Sequence, residues 1–318
     1  MGYAETAKMD KLTLTNKIKP LCDSGKIQGK IDFNKNLARY TSWRVGGAGD
    51  IVFWPKDLID LQNFLKNITD DIPVTFLGLG SNVLIRDGGI RGIVIITQGE
   101  MGNLKLVDGQ YIYAEAGVPC AKVAKFMANN NYSKGEFLSG IPGTVGGALA
   151  MNAGAYKGET WNFVKKVLMI TRNGELIERE PNEFEIAYRT VKYANQNSEW
   201  FAAAWFEFEK GKKEDSTMAI KELLKSRNNS QPIGKFSGGS VFRNPKDNYA
   251  ARIIESLGLK SYSIGGAQIS EKHANFIINN KVATAKDIEN LIFYVKDNVQ
   301  KECNIELIPE VHILGEDK

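Results

Sequence analysis

A long glycine-rich turn holds the residue types that point most directly to chemistry. It begins Gly140-Ile-Pro-Gly143-Thr-Val-Gly146-Gly147 and continues to Tyr156 with small side chains and no charge. Glycine tolerates positive φ and lets another molecule approach the bare backbone. Successive exposed amides form a nest that binds anions. We therefore expect this turn to hold phosphate groups through backbone N–H groups rather than through lysines.

A second glycine turn, Gly78-Leu-Gly80-Ser81-Asn82, follows a strand-like segment at 73–77. Two such turns suit a ligand with two phosphates, such as a dinucleotide. The second turn begins like G-x-G-x-x-G but has Val83 in place of the third glycine, and no P-loop sequence occurs. Ordinary tight turns remain the alternative explanation for both segments.

The composition limits the possible classes of protein. The 318 residues suffice for two or three compact regions, and 43% hydrophobic with 25% charged residues is typical of a soluble globular protein. A net charge of +4 fits an anionic small-molecule substrate but not a nucleic-acid binder. The three dispersed cysteines and two histidines form no metal-ligand pattern. The low, odd number of cysteines favours a reducing compartment. Without a signal-peptide or membrane-spanning pattern, we expect a cytoplasmic protein.

The elements that must position these turns follow from hydrophobic periodicity. Residues 1–30 are typical of a short amphipathic helix followed by a polar connection. A helix from Asp57, with leucines on one face, lies among strands near 51–54, 74–77 and 93–96. This order predicts a small β-α-β-β lobe.

The middle of the chain is rich in strands. Asp108-Gly109 and Asn173-Gly174 each separate two apolar segments, which indicates β-hairpins. A helix is expected from Pro119, where proline suits the first turn. The charged stretch 210–214 marks a predicted domain boundary. Beyond it, Thr284-Ala-Lys-Asp287 resembles a capping box that opens a helix.

Five motifs in order carry a family resemblance. They are Gly78-Leu-Gly-Ser-Asn82, Ile141-Pro-Gly-Thr-Val-Gly-Gly147, Ala187-Tyr-Arg189, Gly239-Ser-Val-Phe-Arg-Asn-Pro245 and Pro309-Glu-Val-His-Ile-Leu-Gly315. Together they resemble the UDP-N-acetylenolpyruvoylglucosamine reductase (UDP-N-acetylmuramate dehydrogenase) family, over residues 34–315. The short stretch 190–199 after Arg189 resembles the subgroup that lacks an added tyrosine loop, so Tyr193 is not given that tyrosine's role.

The resemblance implies an α+β fold with three lobes. Two lobes would form an FAD-binding fold of the vanillyl-alcohol-oxidase (PCMH) type, at residues 1–98 and 99–213. The third, at 214–302, would be an α+β lobe that binds the UDP-sugar. The C-terminal strand within 303–318 is expected to return to the first lobe.

The family reaction implies FAD, NADPH and UDP-N-acetylglucosamine enolpyruvate. NADPH reduces the flavin, and the reduced flavin then passes hydride to the enolpyruvyl double bond to give UDP-N-acetylmuramate, a peptidoglycan precursor. FAD is expected to be non-covalent, because no His or Cys falls in either glycine turn. No metal, nucleic acid or membrane is implied, and a monomer is expected. The alternatives are a flavin oxidase of similar fold acting on an alcohol or sugar, and a nucleotide-binding module without catalysis.

Three residues match the catalytic positions of the family. Ser240 matches the proton donor, although a turn serine with a local backbone hydrogen bond is the structural alternative. Arg189 could bind the substrate carboxylate with its guanidinium fork. Glu310 could be an acid of raised pKa or could orient Arg189 and the substrate, and the sequence does not choose. A surface ion pair is the alternative for Arg189 and Glu310.

The remaining predictions concern binding. Tyr188, Asn244 and Gln268 match substrate contacts, while Lys272 and His273 are weaker candidates for neighbours of a phosphate. The residues predicted to contact FAD belong to the two glycine turns or are arginines at matching family positions: Arg44, Gly78, Gly80, Ser81, Asn82, Ser139, Gly140, Ile141, Gly143, Gly146, Gly147 and Arg227.

Overall fold

Seven helices are found in the computed structural model, which describes residues 11–23 and 25–318. The predicted N-terminal helix is present from Lys11, and the first ten residues of that prediction lie outside the described part. The helices are α1 Lys11–Asp23, α2 Leu58–Lys66, α3 Cys120–Asn129, α4 Val145–Ala150, α5 Lys213–Ser230, α6 Ala250–Ser256 and α7 Ala285–Cys303.

Many short strands alternate with these helices. In chain order they are β1 Lys30–Asn36, β2 Ala48–Trp54, β3 Val74–Leu77, β4 Val83–Ile85, β5 Ile90–Ile96, β6 Leu104–Val107, β7 Tyr111–Glu115, β8 Tyr132–Ser133, β9 Gly154–Ala155, β10 Gly158–Glu159, β11 Val164–Thr171, β12 Leu176–Arg179, β13 Glu185–Ala187, β14 Thr190–Lys192, β15 Glu199–Glu207, β16 Glu209–Lys210, β17 Phe236–Ser237, β18 Ser263–Ile264, β19 Ala267–Ile269, β20 Ile277–Asn279 and β21 His312–Leu314.

The chain divides into two compact units, each made of several segments. The first contains the described residues up to Lys35, Gly49–Gly78 and Arg91–Ser216. The second contains Asn36–Ala48, Leu79–Ile90 and Thr217–Lys318. The division into three lobes with boundaries at 98 and 213 stays a prediction.

The first unit holds two sheets around one apolar core. Their strand orders are β1-β2-β5-β3 and β12-β11-β15-β7-β6, the second being antiparallel throughout. Phe53 of β2 stacks on Phe64 of α2 with ring centroids 4.0 Å apart, and Ile170 and Ala202 of the second sheet belong to the same cluster. This shared core fixes the loops that leave the two sheets.

Helix α2 begins at Leu58 with Asp57 as its N-cap, where the sequence predicts the helix start. The Asp57 side chain accepts the N–H of Asp60, which satisfies one orphan donor of the first turn. Asp60 is itself buried and accepts the N–H groups of Gln28, Gly29 and Lys56. One carboxylate therefore ties the start of the helix to the segment that leads into β1.

The second unit packs α6 and α7 on the sheet β17-β20-β19-β18. Its core includes Ile288, Leu291 and Ile292 from α7. The predicted capping box is present, since Thr284 accepts the N–H of Asp287 and the Asp287 carboxylate accepts the N–H of Thr284. Strand β21 pairs in parallel with β4, with His312 opposite Val83.

The α+β class is confirmed, and both predicted hairpins form. The first joins β6 to β7 and the second joins β11 to β12. Pro119 lies just before α3 as its N-cap rather than inside its first turn. Only two residues of the polar stretch 210–214 lie outside regular secondary structure, because β16 ends at Lys210 and α5 begins at Lys213. No helix of the described residues has the length and the apolar character to cross a membrane.

Candidate active site

Ser240 lies in a turn that the two preceding glycines make possible. Gly239 has φ of +78°, a conformation that disfavours side chains, and a Cβ on Gly238 would stand 2.5 Å from the Trp43 ring. Ser240 is half-buried. Within the described residues its hydroxyl has no hydrogen-bond partner. The local bond of a structural turn serine is therefore not observed.

Glu310 lies on the segment next to Ser240. Its N–H donates to the Val241 carbonyl at 2.8 Å, and Phe242 and Pro309 form an antiparallel bridge. The Glu310 carbonyl accepts the Asn82 side-chain amide at 3.0 Å. The second unit thus brings together three predicted residues, Asn82, Ser240 and Glu310.

Arg189 belongs to the first unit, where its side chain contacts the last part of the long glycine turn. Its Nη2 donates to the Gly154 carbonyl at 2.7 Å and its Nη1 to the Asn152 carbonyl at 3.4 Å. The guanidinium carbon lies 5.1 Å from the ring centroid of Tyr188, which is exposed. Arg189 has φ of +53°. These contacts place a fixed positive charge beside the turn and an aromatic ring beside that charge.

Most backbone amides of the long turn already have partners. The Ile141 N–H donates to the Leu138 carbonyl just before the turn, at 3.2 Å, and the Gly143 N–H donates to the Ile141 carbonyl at 2.9 Å. Those of Val145 and Gly146 donate to the carbonyls of Val118 and Ala116, at 2.8 and 3.0 Å. These four amides are not the ones a phosphate would meet. The phosphate contacts predicted for Ile141, Gly143 and Gly146 therefore depend on close approach rather than on N–H donation.

Internal packing explains several of the glycines without any ligand. A Cβ on Gly140 would lie 2.9 Å from the Tyr156 ring, and one on Gly146 would lie 2.9 Å from the Ala116 side chain. Gly147 differs, because a Cβ there would meet nothing closer than the Thr144 hydroxyl at 3.9 Å. The surface at Gly147 is therefore open to another molecule.

Thr144 places a polar group next to Gly147. The residue is 2% exposed, and among the described residues its buried hydroxyl has no hydrogen-bond partner. A Cβ on Gly78 would come within 2.4 Å of this hydroxyl. An orphaned buried hydroxyl between two bare glycines, Gly78 and Gly147, is what a bound phosphate or ribose oxygen would satisfy. This part of the first unit therefore fits FAD.

The second glycine turn is held at Gly80 by contacts within the second unit. Gly80 has φ of +65°, a Cβ on it would clash with the Tyr40 carbonyl, and its own carbonyl accepts the Ser42 N–H at 3.0 Å. Ser81, in the same turn, is half-buried. Arg44 is exposed, with φ of +60°, and its Nη1 donates to the Arg39 carbonyl.

Several predicted binding residues make local bonds. Arg227 Nε donates to the Gln231 side chain at 3.0 Å, and Asn244 Oδ1 accepts the Ala250 N–H at the start of α6. The Gln268 amide donates to the Ser261 carbonyl at 3.1 Å. These hydrogen bonds fix the orientation of the three side chains. Each side chain therefore has a structural role in addition to its predicted binding role.

Four further residues have clear structural roles. The Ser139 hydroxyl donates to the Glu136 carbonyl, and Lys272 Nζ donates to the Asn228 carbonyl at the end of α5, both at 2.6 Å. His273 Nδ1 accepts the Asn275 N–H, and burial lowers the pKa of His273 below its ordinary value. The Tyr193 hydroxyl donates to the Glu199 carbonyl, and burial raises its pKa to about 12.

Sequence reasoning missed two residues of this region. Thr144 lies inside a quoted motif, where a polar residue among glycines was the available signal. Asn275 bonds the backbone of Phe242 from 33 positions away in the chain. No local pattern around Asn275 could have shown that contact.

Comparison with known proteins gives consistent matches along the chain. Residues 231–314 match the model of the UDP-N-acetylenolpyruvoylglucosamine reductase C-terminal domain, and residues 49–179 match an FAD binding domain. Proteins named UDP-N-acetylenolpyruvoylglucosamine reductase are similar to this chain. One from Coxiella burnetii (strain Dugway 5J108-111) is 50% identical, covering 91% of this chain and 97% of that protein. One from Legionella pneumophila (strain Paris) is 52% identical, covering 91% and 95%.

A solved structure is also similar over nearly the whole chain. The UDP-N-acetylenolpyruvylglucosamine reductase of Thermus caldophilus is 28% identical, covers 91% of this chain and 100% of its own, and gives a TM-score of 0.76. Both the sequence and the fold therefore point to one family.

Proposed function

This chain belongs to the UDP-N-acetylenolpyruvoylglucosamine reductase family, and we infer from that membership that it carries out the family's reaction. It is an FAD-dependent oxidoreductase that uses NADPH to reduce the enolpyruvyl group of UDP-N-acetylglucosamine enolpyruvate to UDP-N-acetylmuramate. The flavin-oxidase alternative is not favoured, because residues 231–314 match the C-terminal domain of this family and relatives about half identical over 91% of the chain carry its name.

FAD, when bound, takes hydride from NADPH and supplies it to the substrate double bond. The proposed FAD contacts are the two glycine turns with Arg44 and Arg227, and FAD is non-covalent in this proposal. The orphaned Thr144 hydroxyl and the open surface of Gly147 support this placement. Thr144 belongs to the proposed FAD contacts as well.

Ser240 is proposed to donate the proton. Hydride addition at one carbon of the double bond leaves negative charge on the carbon beside the carboxylate, and that carbon needs a proton from the other side. A serine hydroxyl is a weak acid, so it must be positioned and its alkoxide stabilised. The observation that carries this role is a half-buried hydroxyl with no partner in the described residues, on a segment bonded to that of Glu310.

Arg189 and Glu310 are proposed to manage the charge of the substrate. A guanidinium already fixed by two carbonyls loses little further freedom when it binds a carboxylate. Glu310 is held by its backbone on both sides, by Val241 and Asn82. This fixed backbone suits either the acid or the orienting role predicted for its side chain.

Tyr188, Asn244 and Gln268 are proposed to contact the UDP-sugar. The exposed ring of Tyr188 and the fixed amides of Asn244 and Gln268 support this assignment. The protein is further proposed to act as a cytoplasmic monomer. Sedimentation of the FAD-loaded protein at assay concentration tests the monomer, and a dimer would contradict it.

Replacing Ser240 with alanine tests the central assignment. In an anaerobic rapid-mixing experiment, Ser240→Ala should be reduced by NADPH at the wild-type rate. Its reoxidation by the enolpyruvyl UDP-sugar should slow by about 10²–10⁴-fold, the usual contribution of a general acid. Ser256→Ala is the matched control, because the Ser256 hydroxyl makes only a local bond to the Ile253 carbonyl. Reoxidation of Ser240→Ala at the wild-type rate would show that another group donates the proton.

A further inference from the structure

The segment that carries Ser240 is attached before and after the serine to one neighbouring stretch, residues 275–279, which includes β20. Before the serine, β17 pairs with β20, with Phe236 opposite Asn279 and Ser237 opposite Ile278. After the serine, the Val241 N–H donates to the Asn275 carbonyl at 2.9 Å. From 237 to 241 is four steps, whereas from 278 to 275 is three, so Ser240 lies on a one-residue bulge. Bulges beside active sites re-aim side chains.

The Asn275 side chain strengthens the attachment after the serine. It is 4% exposed, its Oδ1 accepts the Phe242 N–H at 3.0 Å, and its Nδ2 donates to the Phe242 carbonyl at 2.8 Å. With its own carbonyl, Asn275 makes three hydrogen bonds to the two residues that follow Ser240. A buried side-chain amide thus replaces the backbone ladder where the bulge has broken the register.

The opposite edge of the same segment is also bonded. Val241 accepts the Glu310 N–H at 2.8 Å, and Arg243 donates to the Ile308 carbonyl at 2.9 Å. Phe242 lies between them, and its N–H and carbonyl are both hydrogen-bonded to the Asn275 side chain. Asn275 therefore bonds both backbone polar groups of Phe242, on the side opposite the bridge to Pro309.

We propose that Asn275 is a positioning residue, which sets the position of the Ser240 hydroxyl by clamping the backbone of Phe242. The inference rests on the proposed function of Ser240. Packing alone does not explain asparagine here, because a buried amide is costly unless every polar atom is bonded. The two bonds to Phe242 also need one acceptor and one donor at the reach of this short side chain.

Loss of the clamp should affect the proton step more than any other. A displacement of about 1 Å at a reacting group can cost about 10²-fold in rate. Asn275→Leu keeps the number and branching of the side-chain heavy atoms and removes both bonds, so reoxidation of the reduced flavin by the enolpyruvyl UDP-sugar should slow by about 10²-fold. Flavin reduction by NADPH does not use Ser240 and should stay near the wild-type rate.

Asn275→Asp provides a rescue that depends on pH. A neutral carboxyl can donate to the Phe242 carbonyl as the amide does, whereas an ionised one cannot. Burial raises the pKa of a carboxyl, which extends the neutral form toward neutral pH. Relative to wild type at the same pH, this variant should reoxidise faster at about pH 6 than at about pH 8.

Three measurements separate positioning from a general loss of structure. Hydrogen exchange of the backbone within 236–243 should rise in Asn275→Leu. Adding Asn275→Leu to Ser240→Ala should cause no further loss in reoxidation, since both changes act through one hydroxyl. Glu289→Gln is the control, because it weakens a buried ion pair to Arg86 in the same unit and should leave the ratio of the two half-reaction rates unchanged.

The experiments test the positioning role of Asn275 separately from the proposed function. If wild type is not reduced by NADPH and reoxidised by the UDP-sugar, the proposed function fails first. If wild type turns over and folded Asn275→Leu reoxidises at its rate, the clamp has no positioning role. Equal slowing of both half-reactions also overturns the inference. If Asn275→Leu does not fold, a reoxidation rate of Asn275→Asp that follows wild type at every pH overturns it as well.

Discussion

Gly147→Ala separates a glycine kept for a ligand from a glycine kept for packing. A Cβ at Gly147 meets only the Thr144 hydroxyl at 3.9 Å, so the folded protein accepts it without displacement. Because Gly147 lies inside α4, alanine should raise the stability of the flavin-free protein by about 0.5–1 kcal/mol. For a chain of this size, that is a rise in Tm of about 1–4 °C.

The same methyl group should weaken FAD binding. If a phosphate oxygen contacts the backbone at Gly147, the Cβ displaces it and a charge-assisted hydrogen bond worth about 1.5–3 kcal/mol is lost. The dissociation constant of FAD should then rise by about 10–150-fold. Calorimetry of the flavin-free protein gives the Tm, and quenching of flavin fluorescence gives the affinity.

Gly146→Ala is the matched control for this prediction. Its Cβ would stand 2.9 Å from the Ala116 side chain and 3.3 Å from the Ala116 carbonyl. Overpacking of this kind costs about 1–3 kcal/mol, so the flavin-free protein should lose stability instead of gaining it. A Gly147→Ala protein that is stabilised but binds FAD within a factor of two of wild type would refute the argument from open space at Gly147.

Three further predictions test single buried groups. Asp60→Ala should destabilise the protein by about 1–3 kcal/mol in denaturant unfolding, because the N–H groups that Asp60 accepts lose their partner; a loss below ~0.5 kcal/mol would mean that water replaces it. Cys120, buried and with its pKa raised to about 12, should resist alkylation in the native protein while half-buried Cys303 reacts, as peptide mass spectrometry would show; equal labelling would contradict this. His273 has a lowered folded pKa, so the unfolded chain takes up the proton first and stability is lost as pH falls below 6.5. His273→Gln should therefore lose less stability than wild type between pH 6.5 and about pH 5, and parallel curves would count against this assignment.

Local features of the fold could be predicted because their causes are local. The capping box at Thr284 needs only residues three apart, and its reciprocal bonds are present. The hairpin at Asp108-Gly109 needs positive φ at two neighbouring positions, and the structure has +51° and +62° there. The family motifs likewise located the serine turn and the C-terminal strand.

The bonds that hold the candidate site could not be predicted in the same way. Asn82 bonds Glu310 across 228 positions, and Asn275 bonds Phe242 across 33. A side-chain amide that meets a distant backbone leaves no periodic pattern, because only the tertiary fold brings the two together. Asn82 was predicted to bind the cofactor, yet its side chain is bonded to the Glu310 backbone. That bond uses one N–H of the amide, so a cofactor contact by the Asn82 side chain would have to be made with the amide turned toward Glu310.

Glycine-rich motifs predict a ligand less directly than their sequence indicates. In the long turn, Gly140 and Gly146 are required by Tyr156 and Ala116, and a chain without FAD would need them equally. What distinguishes Gly147 is that nothing of the described protein fills the space a side chain would take, while a buried hydroxyl beside it lacks a partner. Open space together with an unsatisfied polar atom is a physical sign of a missing partner. For that reason the assignment of FAD to this turn depends on Thr144 and Gly147 more than on the number of glycines.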